Sequence, residues 1–207
     1  MVTRSADGGR AAALGCRAHT GWAVLVVVAG SVVRPEVLLR CRAELGDPSA
    51  RVKRNVYQSA RGKEPATAAG LVEAAERIAT EQASRAVART VQEARDVGGI
   101  VRSCAVVVGR FPAGARLESI LASHALAHAA EGRLYQRALQ QAAESRGLHA
   151  VAIPKRSIWD EGEAELGVAG DELHRRIDQL RREIGPPWGE DQKLAALAAW
   201  IALARSS

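Results

Sequence analysis

The chain has 207 residues, of which 47% are hydrophobic and 3% aromatic, and a formal net charge of +6. This length suits one compact domain, and an Ala/Val-rich interior implies helices packed closely on their neighbours. The excess of cations points to an anionic partner and away from acidic, solvating classes. No apolar run is long enough to span a bilayer, so no membrane partner is expected. Cys16, Cys41 and Cys104 lack paired or zinc-type spacing, which reads as reduced thiols and a cytoplasmic setting.

Residues 1–10 are polar and contain Asp7-Gly8-Gly9, a disordered leader before a single domain over 11–207. Residues 11–16 form a short apolar run, followed by a polar loop from Arg17 to Gly21. Residues 22–28 are β-branched and apolar, a buried strand. Residues 35–45 alternate, with Val37, Leu39 and Cys41 on one face of a third strand. The short connections predict an antiparallel meander. Residues 51–63 (RVKRNVYQSARGK) hold five basic residues and no acid, and the segment 51–64 reads as an exposed basic loop. Helical spacing of apolar residues runs over 68–97 and stops at Gly98-Gly99. Residues 101–108 read as a central strand and 109–114 as a loop. One long helix is predicted over 117–146, then a strand over 149–154. Residues 160–189 read as a helical insertion, including an acidic stretch and a charged helix capped by Asp171. A final helix over 192–205, capped by Asp191, is apolar nearly all round and should lie buried on the sheet.

Three strands, helix, strand, helix, strand and helices is the order of the ribonuclease H-like fold. It predicts an α/β protein with a five-stranded mixed sheet, helices on both faces, and the first strand parallel to the fourth. Two motifs sharpen the resemblance. Leu14-Gly15-Cys16-Arg17-Ala18-His19-Thr20-Gly21-Trp22 resembles the opening strand-turn-strand of Holliday-junction resolvases of the RuvC type. Asp191-Gln192-Lys193-Leu194-Ala195-Ala196-Leu197-Ala198 is similar to the closing helix of that family. The resemblance implies two-metal phosphodiester hydrolysis by clustered carboxylates. It would place those acids at Cys16 or Arg17, near Gly109, at Asp191 and at Leu194. Asp191 alone is acidic, so the implied mechanism does not carry over intact.

The remaining polar residues supply the candidates. His19 lies where the fold would place its active edge, as a phosphate contact, a metal ligand or a turn histidine bonded to backbone. His124, His128 and Glu131 have the i, i+4, i+7 spacing that lets imidazoles and a carboxylate converge, either on a metal or in a helix–sheet interface. Asp191 is either an N-cap or a surviving acid of the site. The candidate catalytic set is therefore His19, His124, His128, Glu131 and Asp191. His124, His128, Glu131 and Asp191 are candidate metal ligands, with a donor set that suits Zn²⁺ or Mn²⁺ better than Mg²⁺. Arg51, Lys53, Arg54, Arg61, Lys63 and Lys193 are candidate phosphate contacts, with Tyr57 stacking on a base.

The leading expectation is a divergent RuvC-like protein that acts on or binds structured nucleic acid, as a metal-dependent nuclease if it is catalytic. The alternatives are a catalytically inactive binding or scaffold module, or a small-ligand or nucleotide-binding protein. Actin-like ATPases share the strand order, but their phosphate loop resembles Asp-x-Gly-Thr, whose Asp and Gly are absent from residues 16–20. DNA versus RNA and a homodimer stay open.

Overall fold

A computed structural model describes residues 9–206. Residues 1–8 of the expected leader lie outside them, and Arg10, its last residue, already begins the first strand. The chain opens with β1 (Arg10–His19), β2 (Trp22–Gly30) and β3 (Pro35–Glu44). The β1–β2 connection is only Thr20-Gly21, and Gly21 takes φ +85°, a conformation a side chain resists. There follow α1 (Val56–Ala60), α2 (Pro65–Asp96), β4 (Gly99–Val108), α3 (Leu117–Ala122), α4 (His124–Glu144) and β5 (His149–Pro154). The chain closes with α5 (Ile158–Leu166), α6 (Gly170–Gln179), α7 (Arg181–Ile184) and α8 (Glu190–Arg205).

These strands form one five-stranded sheet in the order β3-β2-β1-β4-β5. Pairing is antiparallel for β1–β2 and β2–β3, and parallel for β1–β4 and β4–β5. This is the mixed α/β sheet of the ribonuclease H-like fold. Every residue from Ala23 to Ala29 is buried, as a strand covered on both faces requires. Leu14, Cys16, Leu25 and Val106 pack with Ala83 of α2 and Leu139 of α4 on one face. Val24, Val26 and Val107 pack with Ile158, Leu173 and Trp200 on the other, beneath α5, α6 and α8.

α8 is buried from Leu194 to Leu203 because it lies directly on β1. Gly15 permits this. A Cβ there would fall 1.8 Å from the Ala195 carbonyl oxygen and 2.7 Å from the Ala199 nitrogen, both rigid helix backbone.

Several boundaries differ from expectation. β1 does not stop at Cys16; Arg17, Ala18 and His19 continue it, paired with Val24, Ala23 and Trp22. The helix expected over 117–146 breaks at Ser123, whose extended backbone (φ −112°, ψ 123°) ends α3. The Ser123 hydroxyl accepts the Leu126 N–H at 3.3 Å and so caps α4. Residues 51–63 are not all exposed loop: they contain α1, which buries Val56, Tyr57 and Ala60. Gly189, not Asp191, is the N-cap of α8; its N–H donates to the Gln192 side chain at 2.8 Å. Ala169, not Asp171, caps α6. Cys16 and Cys104 are buried free thiols that share a hydrogen bond, their sulfurs 3.8 Å apart. No helix among the described residues is long and apolar enough to cross a membrane.

Gly15→Ala should lift α8 off the sheet, because the Ala195 carbonyl and Ala199 nitrogen are helix backbone that cannot move aside without repacking. The expected loss is about 3 kcal/mol or more in denaturant unfolding. A stability within experimental error of wild type would show that the α8–β1 approach is not tight.

Candidate functional site

Alternation along β1 sends Gly15, Arg17 and His19 to the face that carries α8, and Cys16 to the opposite face. Of the two positions the resemblance left open for an acid, Arg17 is therefore the one facing α8. Parallel pairing sets Arg17 level with Val107, and Val108 level with Pro154. The C-terminal ends of β1, β4 and β5 thus share one edge of the sheet, and the N-terminus of α8 reaches the same edge.

Because Gln192 engages the N-cap, the Asp191 carboxylate is free to face β1. Its Oδ1 lies 2.8 Å from His19 Nε2 and 3.6 Å from Arg17 Nε. Against an ionised carboxylate, Nε2 carries the hydrogen. Arg17 Nη1 donates to the Ala18 carbonyl at 3.1 Å, while its Nε is buried without a hydrogen-bond partner. The His19 ring stacks on Trp22, with centroids 4.3 Å apart and planes 10° from parallel. The Arg42 guanidinium sits 4.0 Å from the Trp22 ring centroid. Arg42 pairs with Glu44 at 3.2 Å, and Glu44 with Arg54 at 3.0 Å. A chain of contacts therefore runs from α8 across β1, β2 and β3 to the basic segment.

On the other side of Asp191, Lys155 pairs with Glu190 at 2.8 Å and holds that carboxyl below its ordinary range. Beyond it, where β4 and β5 end, Arg110, Phe111, Lys155 and Arg156 line an open cavity of about 520 Å³. The edge thus gathers Arg17, Arg42, Arg54, Arg110, Lys155 and Arg156 against Glu44, Glu190 and Asp191. Each of those three carboxylates already faces a cation.

His19 and Asp191 are the two candidates that the structure brings together. Glu131 is elsewhere, 1% exposed, with Oε1 accepting the Gln58 N–H at 3.1 Å at the start of α1. Tyr135 reinforces the same docking by donating to the Arg54 carbonyl at 2.9 Å. Burial pushes the Glu131 carboxyl up to about 7, against the opposing pull of the Gln58, Tyr57 and Val56 N–H groups. His124 and His128 are exposed at the start of α4. Glu131 is committed to holding α1, so the trio does not converge. Among the described residues, no group of three or more His, Cys, Asp or Glu side chains could hold a metal.

The basic candidates divide. Arg51, Lys53 and Lys63 are exposed, and Arg54 is tied to Glu44. Arg61 is partly buried and donates to the Leu121 carbonyl at 3.1 Å, closing the end of α3. Tyr57 is 7% exposed and has no open face for a base; burial pushes its hydroxyl up to about 12. Lys193 pairs with Asp178 of α6 at 2.6 Å, away from the edge. Sequence reasoning missed Trp22, Arg42, Lys155 and Glu190 as members of the site and noted Arg17 only as a departure. The alternation of Arg17 and His19, had β1 been extended, would have placed Arg17 in the site beside His19.

A two-ion centre does not fit these donors. Of the positions at which the resemblance implies acids, Arg17 faces α8 as a cation, residue 109 is glycine, and Leu194 is 3% exposed in an apolar core. A divalent ion at Asp191 would sit beside the Arg17 guanidinium and share the carboxylate whose Oδ1 already faces both His19 and Arg17.

No family model and no curated protein matches the chain. Solved structures do. A structure of T. thermophilus RuvC in complex with a Holliday junction substrate superposes with a TM-score of 0.55 at 13% identity, over 94% of each chain. A further Thermus thermophilus RuvC structure gives 0.54 at 13% identity, covering 94% of this chain and 95% of that one. The fold is thus ribonuclease H-like, of the RuvC type.

The raised Glu131 carboxyl makes a pH-dependent stability testable. Its pKa, 4.5 unperturbed and about 7 in the fold, favours the protonated folded state, so stability present below the lower value is lost as pH rises through 7. Between about pH 5 and pH 8, wild type should lose about 1–3 kcal/mol that Glu131→Gln does not. Equal slopes in denaturant melts of the two proteins would rule this out.

Proposed function

We propose that this protein binds the sugar–phosphate backbone of structured nucleic acid along the edge where β1, β4 and β5 end, and that it does not hydrolyse it by the two-ion route. The observation that supports this most is the charge of that edge. Six cations stand against three carboxylates, and each carboxylate is already matched by a cation. Phosphodiesters satisfy such a surface, because guanidinium groups bind them bidentately and lysines bind them as point charges.

The exposed Arg51, Lys53 and Lys63 extend the surface, since Arg54 joins their segment to the edge through Glu44. The solved relative in complex with a Holliday junction makes branched DNA the first ligand to try. Tyr57 takes no part, being buried.

Fluorescence anisotropy with a four-way DNA junction, linear duplex and hairpin RNA tests the reading. Binding should weaken with salt at a log–log slope of about −3 to −5, as several released counterions require. Added Mg²⁺ or Mn²⁺ should leave every strand intact on a denaturing gel. Salt-insensitive binding, or no binding to any of the three, would overturn the proposal. Divalent-dependent nicking would overturn its non-hydrolytic part.

A further inference from the structure

We propose that the Arg17 guanidinium, positioned beside His19 and Asp191, is a metal-independent subsite for one backbone phosphate, at the place where the RuvC resemblance implies divalent ions. The inference rests on the nucleic-acid reading above and assigns the chemistry of its centre.

Arg17 provides the strongest reason. Its side chain is 15% exposed, and its Nε is turned inward, 3.6 Å from Asp191 Oδ1, which fixes the plane of the guanidinium. Nη2 makes no hydrogen bond and, unlike Nε, is not buried, so it is the donor left for an acceptor from outside. Only Nη1 has a hydrogen-bond partner, the Ala18 carbonyl, so the fork is not used up by the protein. A phosphate presents paired oxygens to such a fork, whereas a metal ion would add a second positive charge beside it.

The surroundings hold this pair in position before any ligand arrives. Asp191 Oδ1 fixes His19 at 2.8 Å, and the Trp22 stack fixes the plane of the imidazole. Trp22 is itself held beneath Arg42. Side chains already confined to one rotamer lose little entropy on binding. With its Nε2–H given to Asp191, His19 is a positioning residue that orders the carboxylate beside Arg17, and the phosphate oxygen is met by the guanidinium. Lys155 flanks the subsite on an exposed pair with Glu190, a contact weak enough to be exchanged for phosphate. The same carboxylates that a divalent ion would need are those that orient Arg17, His19 and Lys155. Metal and phosphate therefore compete for the site instead of cooperating in it.

The test compares wild type, Arg17→Gln, Arg17→Lys and a charge-matched control, Arg146→Gln, at an exposed position near the opposite end of β5. Affinity for the four-way junction and hairpin RNA is read in EDTA and in Mg²⁺ at equal ionic strength. Wild type should bind equally in both. Arg17→Gln should weaken binding about tenfold and reduce the salt slope by about one, Arg146→Gln by less than about twofold. Arg17→Lys, which keeps the charge and loses the fork, should fall between, and it carries the comparison if circular dichroism shows Arg17→Gln unfolded.

Binding that requires Mg²⁺, or that is unchanged in both Arg17 variants, would overturn the subsite while nucleic-acid binding stands. If no nucleic acid binds, inorganic phosphate titrated against Trp fluorescence separates the two ideas. A phosphate-dependent change that is lost in Arg17→Gln and in Trp22→Phe would keep the subsite and discard the nucleic acid. No response to phosphate would discard both.

Discussion

The contact of Gly15 with the backbone of α8 is the constraint on which the edge depends. A helix this apolar must be buried, and the only way to lay it on β1 without a gap is to remove a side chain from the strand. Once it is seated, its N-terminus arrives over the last residues of β1. Gln192 serves the N-cap, which leaves Asp191 for Arg17 and His19. One glycine therefore controls both the thickness of the core and the position of the acid that orders the site.

What that acid does differs from what the fold's resemblance implies. Clustered carboxylates in an RNase H-like edge create a deficit of positive charge that divalent ions fill. In this chain Arg17 and His19 face one oxygen of the Asp191 carboxylate. On the function proposed above, the edge attracts phosphate where clustered carboxylates would attract metal, on the same scaffold. Such a change separates binding from chemistry, since phosphate contacts hold and orient a strand but supply no activated water.

The sheet was legible in the sequence because β2 and the end of β4 are apolar, Val-rich runs that alternate with helical patterns. The mixed five-stranded order followed from that alternation, and the RuvC-like fold from the two short motifs. The end of β1 was not legible. Arg17 and His19 look like loop residues until the strand is seen to be covered by α8 on one side and to pair with Trp22 at its tip. Ser123 hid a helix break inside an Ala/Leu run, because only its extended backbone distinguishes a cap from a mid-helix serine. Glu131 had the right spacing for a ligand but is spent on the N–H groups of α1, a tertiary contact that spacing cannot reveal. His19 and Asp191 were both named from the sequence; their pairing across 172 residues needed the fold.

The most direct measurement of the central claim is the ¹⁵N–¹H signal of Arg17 Nε, followed by NMR as a four-way DNA junction is added in EDTA. It is a buried part of the guanidinium, 3.6 Å from Asp191, and its resonance follows what the outer nitrogens of the same group bind. The account expects a saturating shift of that signal with no metal present, as Nη2 meets a phosphate oxygen. A signal that stays put while the junction binds, or moves only when Mg²⁺ is supplied, would contradict it.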